Sequence, residues 1–380
     1  MDIVIIILLI LLVNTYILKA LMNNFDIPSE RYMWILFMVH YALCTIYILN
    51  AFATRSDSFS YFERSFRAEN WLDLFKYGTS FIDFLAWPFI KVFSLSYLAV
   101  MILFSYFGYL ACLIFYITLN ENVKLNPIWY NLSMVQIIFL LPNLHFWSSS
   151  LGKGSVILFG LSLFTFGLSR FNRRYIPIVI GSIIVFFVRP HIFFTLIASI
   201  FAGVLITTSG IKWYVKWTLV TVSLVLFLYF SSTVLKFTNS ESLDILSSSN
   251  ISHRASELSK ASSGIDIQNY NLFMKMFAFW FRPLFFDGQG AFGLIVSFEN
   301  LLTLYFFSFT AFYMFRYWSN FNGWFRISMF IFLTGSFILA QVTGNLGIAL
   351  RQKAQFMPFL FIIYCQGLSY RQRDKRRLII

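Results

Sequence analysis

The sequence predicts an all-α, polytopic membrane protein: one membrane domain over residues 1–380, with about eleven transmembrane helices. Three observations predict this class. The chain is 59% hydrophobic and 21% aromatic but only 12% charged, where a soluble domain carries about 25% charged residues. Its mean hydropathy is +0.73. Its apolar runs have helix-spanning lengths, unlike the short alternating strands of an outer-membrane barrel.

The first span, 3–21, has no basic flank before it and no small-residue cleavage site after it, so it reads as a retained helix rather than a signal peptide. The second, 33–51, carries His40 mid-span, a position that suits an interhelical hydrogen bond. An amphipathic segment, 52–95, mixes Arg55, Asp57, Glu63, Arg64, Arg67, Glu69, Asp73 and Asp83 with aromatics, the pattern of interfacial helices. Spans at 96–118, 130–147 and 156–171 follow. Next come 176–188 and 192–208, separated at Arg189-Pro190-His191, where proline disfavours continuing a helix. A span at 218–235 leads into a large external loop, 236–297. That loop opens with a serine-rich stretch, 240–263, too polar to pack on its own, and then turns apolar from Phe273 to Phe286. Spans at 298–315, 327–341 and 356–368 complete the bundle. Two of these, 176–188 and 356–368, fall short of the roughly 20 residues that normally cross a bilayer.

Charge placement sets the orientation. With the C-terminus inside, the inner segments and their flanks Lys19 and Arg170 hold 15 of the 29 Lys and Arg and 4 of the 16 Asp and Glu. Their balance is +11, against +2 outside, the positive-inside bias that leaves the N-terminus external. The net charge of +13 therefore reflects topology and does not indicate nucleic-acid binding. Cys44, Cys112 and Cys365 all sit in apolar segments and form neither a disulfide framework nor a spaced zinc motif. The chain lacks HExxH, Walker A and GxSxG motifs, and its acidic residues show no metal-cage spacing.

Ionisable groups at the outer helix ends are the candidate functional residues, because such groups near membrane depth persist when they pair, line a wet cavity or work. They are His145, Lys153, Arg189, His191, Arg282, Asp287, Glu299, Arg351 and Lys353. Arginine presents a planar fork that grips phosphate oxygens, so Arg189, Arg282 and Arg351, each beside a proline or glycine break, point to an anion site. The alternative is that each anchors the helix at the headgroups. Asp57, just past the second span, is placed either to deprotonate a sugar hydroxyl or to cap the following helix. His145 and Glu299 are the other candidate bases.

Three stretches resemble bacterial polysaccharide polymerases of the Wzy and EpsG type, within the GT-C-like membrane glycosyltransferases. Arg55-x-Asp57-x-x-x-Tyr61 looks like the Arg…Asp…Tyr element of the EpsG type. The long external loop with Arg254 and Arg282 is similar to the large periplasmic loop of Wzy and O-antigen ligase proteins. Gly344-Asn345, Arg351-Gln352-Lys353 and Met357-Pro358-Phe359 resemble the final external loop and helix. The His-Asn motif of the ligase-type branch is not present. The resemblance implies a metal-independent, cofactor-free polymerase of O-antigen, capsule or exopolysaccharide in the bacterial inner membrane, its site facing the exterior. The donor and acceptor would be undecaprenyl-pyrophosphate-linked glycans, and a chain-length regulator would be a further partner. Arg189, Arg282 and Arg351, assisted by Lys153, Lys353 and His191, would hold the pyrophosphate, and Tyr61 and Arg254 would contact substrate. A glycolipid flippase and a polyprenyl-linked single-sugar transferase are the alternatives; inverted repeats, which favour a transporter, are not visible.

Overall fold

A computed structural model of the chain describes residues 1–25, 29–129, 132–207, 270–287, 290–343 and 345–377, with isolated positions between 212 and 221. The serine-rich stretch 240–263, Arg254 within it, and nearly all of the expected 218–235 span lie outside the described residues. The chain divides into two compact units, Met1–Pro190 and His191–Ile380. Among the described residues, five helices are long and apolar enough to cross a membrane, which makes this a multi-pass membrane protein.

The first unit contains α1 (Asp2–Asn24), α2 (Glu30–Thr54), α3 (Asp57–Arg67), α4 (Thr79–Trp87), α5 (Tyr97–Asn122), the hairpin β1 (Pro127–Trp129) and β2 (Leu132–Ser133), α6 (Met134–Ile138), α7 (Pro142–Phe146), α8 (Lys153–Ser169) and α9 (Tyr175–Val188). Helix α1 buries a single stripe, Ile6, Ile10, Asn14 and Leu18, at the four-residue spacing of one helix face. Its Val4, Ile5, Leu8 and Leu12 stay exposed, and so wide an apolar surface needs hydrocarbon around it. Helix α5 is the hub: 67% of its apolar window is buried, against 22% in α1, and it packs on α1, α2 and α8. Glycines let α8 and α9 approach closely. A Cβ on Gly181 would sit 2.5 Å from the Gly160 carbonyl oxygen, the small-residue contact typical of membrane helices.

The span expected at 130–147 is corrected. That stretch is not a continuous helix but the β1–β2 hairpin followed by two five-residue helices, α6 and α7. Ser133 and Gln136 form a reciprocal capping box that starts α6, and Pro142, lacking an N–H, starts α7 afresh instead of extending it. Irregular backbone at membrane depth survives only where protein shields it. Here Val135, Ile138, Phe139, Leu144, His145 and Phe146 are all buried, against α2 and α5.

Contacts at the two ends of this unit agree with the alternation read from charge. At one end the Ser96 amide donates to Asp2 (2.7 Å) and the Gly78 amide to the Phe187 carbonyl (2.8 Å). At the other, Glu121 pairs with Arg170 (2.9 Å) and Arg174 (2.8 Å). The irregular segment therefore runs from the end of α5 to the opposite end, where α8 begins, so parity is kept without a helix.

The second unit contains α10 (Pro190–Thr207), α11 (Leu272–Phe281), α12 (Gly290–Tyr317), α13 (Gly323–Val342) and α14 (Leu346–Arg377). The chain does leave helical geometry at Arg189, which closes α9 before Pro190 opens α10. Two boundaries differ from expectation. Residues 290–297 belong to α12 rather than to the preceding loop, and the short span 356–368 is the middle of the 32-residue α14. Every residue from 353 to 367 is buried. A helix buried all round is a core helix, so its polar flanks follow from position rather than from contact with lipid. At the basic end of the unit the Tyr317 hydroxyl donates to Asp374 (2.8 Å) and that of Tyr370 to the Asn320 carbonyl (2.6 Å).

Candidate functional site

The other end of the second unit gathers the polar groups. Lys353, in the second turn of α14, is 1% exposed. Its ammonium donates to the Trp280 carbonyl (3.2 Å) and to the Asn300 side-chain oxygen. Asn300 in turn donates to the Pro283 carbonyl (2.7 Å). Glu299, 6% exposed, sits close enough for its charge to act on Lys353. An isolated ionised group at this depth costs about 2.5–3.5 kcal/mol; pairing and hydrogen bonding offset that cost. Local sequence explains the placement. Asn271 caps α11 by accepting from the Met274 amide (2.9 Å). The last residues of α11, Ala278 to Phe281, are buried, with Trp280 against Phe332 at 4.9 Å. That contact delivers the Trp280 carbonyl to Lys353. Asn345 receives the Ile348 amide (3.1 Å) and so caps α14, while Thr343 donates to Gln352 (2.7 Å). Arg351 and Lys353 thus both stand in the second turn of α14.

Arg282 lies at the end of α11 beside this centre but is already committed. Its Nε and Nη2 grip Asp287 at 2.8 and 2.7 Å, and its Nη1 donates to the Tyr270 hydroxyl (3.1 Å). Three of its five N–H groups therefore hold the 270–287 segment together. The hydrogen bonds from Arg282 keep the Asp287 carboxyl below its ordinary range, and the Asp287 carboxylate raises Arg282 further. His191, at the start of α10, has a carbonyl that accepts from Thr195 (2.8 Å).

In the first unit, Asp57 is exposed in the first turn of α3. Tyr61 is buried one turn on, and the Arg64 guanidinium lies over its ring at 5.0 Å. Arg64 also grips Asp83 of α4 with two bonds, 2.8 and 3.2 Å. Burial pushes the Asp83 carboxyl above its ordinary range, against the opposing pull of Arg64 and, more weakly, of Lys153. Lys153 therefore opens α8 facing a carboxylate, with Gly78 close to its ammonium. Sequence reasoning noted Arg64 and Asp83 only as amphipathic charges; their spacing of 19 residues carries no signal of pairing. Arg189 is half-buried at the end of α9. His145 is fully buried, and both its nitrogens are engaged: Nδ1 with His40 Nδ1 (2.9 Å), Nε2 with the Phe139 carbonyl (2.6 Å). The arrangement sets it in a dry core, away from the exposed Asp57.

An apolar cavity of about 540 Å³ opens between α12 and α13, lined by Phe307, Met314, Phe315, Trp318, Met329 and Leu333. It lies toward the Trp318 end of these helices, away from Lys353. Comparison of the chain with protein-family models, with curated proteins and with solved structures finds no match.

Proposed function

We propose that the chain is a GT-C-like membrane glycosyltransferase that polymerises undecaprenyl-pyrophosphate-linked oligosaccharide repeat units, with about eleven transmembrane helices and its site on the exterior face. The observation that carries this reading is the buried Lys353–Glu299–Asn300 centre beside Arg351 and Arg282. A membrane protein that keeps ionisable side chains buried in an apolar core at one helix end has a functional site there by default. In this reading an acceptor sugar hydroxyl attacks the anomeric carbon of the donor. The hydroxyl proton passes to the Glu299 carboxylate, and the bond from sugar to pyrophosphate breaks. Arg351 and Lys353 oppose the negative charge that grows on the leaving pyrophosphate. Arg282 keeps the 270–287 segment in shape and offers its remaining N–H groups. Tyr61 and Lys153 belong to the substrate-binding surface of the first unit. His145, dry and hydrogen-bonded on both nitrogens, has no part in the proton transfer.

The test is polymer formation from lipid-linked repeat units by the purified chain in vesicles. Glu299→Gln and Arg351→Lys should each lower the rate by roughly 10- to 1,000-fold, the loss typical of one missing proton acceptor or charge-stabilising fork. Arg282→Lys should fall in the same range through loss of the Asp287 clamp. Full-length polymer at wild-type rates from all three variants discards the proposal.

A further inference from the structure

The His40–His145 contact poses a proton-counting problem. His40 Nε2 faces the Ser105 carbonyl at 2.9 Å, and His145 Nε2 faces the Phe139 carbonyl at 2.6 Å. A carbonyl oxygen only accepts, so each Nε2 must carry a proton and donate. A neutral imidazole protonated on Nε2 has a bare lone pair on Nδ1. The two Nδ1 atoms nevertheless lie 2.9 Å apart. Two lone pairs at that distance repel unless an electrophile sits with them, either a proton or a metal ion.

Cys112 decides between these. Its Sγ and one ring nitrogen of each histidine lie within 4.8 Å of one another, and all three side chains are buried. They come from three elements: α2, α5 and α7. The Ser148 hydroxyl lies near the thiol. Among the described residues, no carboxylate and no Lys or Arg acts on any of the three. An extra proton on the histidine pair would stand as an unpaired positive charge in a dry core, which is costly. A metal ion brings its own balance, because it deprotonates a coordinating thiol. One monovalent soft ion, one thiolate and two neutral imidazoles sum to zero charge. Thiolate and imidazole select copper(I) and zinc(II) among common ions. Both Nε2–H groups already donate to carbonyls, the outer-shell bond that fixes a metal-binding histidine in the right tautomer. Two metal–nitrogen bonds of about 2.0–2.1 Å at a tetrahedral angle put the nitrogens about 3.3–3.4 Å apart. Small side-chain rotations reach that from the observed geometry.

We propose that His40, Cys112 and His145 form a buried His₂Cys site for one soft metal ion, copper(I) by charge balance, with zinc(II) the close competitor. The ion pins the irregular 132–152 segment to α2 and α5 at membrane depth, where that segment has no continuous helix of its own. The role is structural and independent of the proposed glycosyl transfer.

The experiment uses the full-length chain, purified in detergent, stripped with a chelator, reloaded with copper(I) under reducing conditions or with zinc(II), and dialysed. Mass spectrometric metal analysis should find one ion per chain in the wild type. X-ray absorption should show two nitrogens near 2.0 Å and one sulfur near 2.3 Å, the approximate bond lengths expected of such ligands. Cys112→Ser keeps the size and the Ser148 neighbour and should retain at least tenfold less metal; His145→Gln should do the same. The wild-type spectrum keeps the test decisive where a variant fails to fold. Overturning results are a wild type that retains neither ion, a first shell without sulfur, or equal retention by Cys112→Ser. A metal-free wild type whose paired imidazoles are seen by nitrogen NMR to share an extra proton likewise overturns the site.

Discussion

Lys353 and Glu299 are the residues at which burial and charge compete most directly. Removing one of two buried groups whose charges act on each other leaves the other charge uncompensated and is destabilising, whereas replacing both with apolar or neutral groups is often close to neutral. Lys353→Met should therefore lower thermal stability in detergent strongly, and Lys353→Met with Glu299→Gln should recover most of the loss. Additive losses in that cycle would show that the two side chains do not act on one another. Arg282 and Asp287 make a pH prediction. The Asp287 carboxyl is held below its unfolded value by the Arg282 hydrogen bonds, so the pair's contribution is complete above the ordinary carboxylate pKa of 3.8. It is lost as pH falls from there through the depressed folded value. Protection of the amides in residues 282–287 against hydrogen exchange, relative to their intrinsic rates, should fall over that acidic window in the wild type, and Asp287→Asn should be weakly protected throughout it. An unchanged wild-type profile would refute the clamp.

Among the elements, the non-helical crossing between α5 and α8 depends on close backbone approach. A Cβ on Gly108 of α5 would meet the Ser148 carbonyl oxygen at 1.9 Å, far inside contact distance, and backbone cannot step aside as a flexible side chain can. Gly108→Ala should thus destabilise by more than the roughly 1–3 kcal/mol usual for overpacking, read as a drop in melting temperature and detergent-extractable yield. Gly290 would have nothing within 4 Å of an added methyl, but its φ of +68° lies in the left-handed region that favours glycine. Gly290→Ala should therefore cost only the backbone term, about 1 kcal/mol. Equal melting temperatures for the two variants would remove the steric explanation. The sequence revealed α2, α5, α8 and α13 to within a few residues because each is a long apolar run between polar ends. It misread 130–147 because that run has the same apolar content; what breaks it is Pro142 and the Ser133 cap, and what permits the break is shielding by α2 and α5.

At the scale of the whole molecule the prediction is topology. In the first unit, Ser94 and Arg173 lie near opposite helix ends, as the contacts of Ser96 with Asp2 and of Arg174 with Glu121 require. Reporters inserted at Ser94 and at Arg173 should report opposite sides. The charge bias assigns Arg173 and a fusion after Ile380 to the cytoplasm and Ser94 to the exterior. The same side for Ser94 and Arg173 would break the alternation on which the membrane architecture rests.

The sequence by itself determined that this is a multi-pass helical membrane protein, where most helices begin and end, and which ionisable residues stand at helix ends. Those properties are local: apolar length, charge and proline placement are written within each segment. Only the tertiary structure decided which charges neutralise one another. Arg282 appeared as a ligand for phosphate, yet the fold commits its fork to Asp287. His145 appeared as a base, yet the fold buries it against His40 and Cys112, whose partners lie 105 and 33 residues away in the chain. Pairings of that kind depend on which helix faces meet, and close packing of long-range neighbours leaves no periodic mark in the sequence.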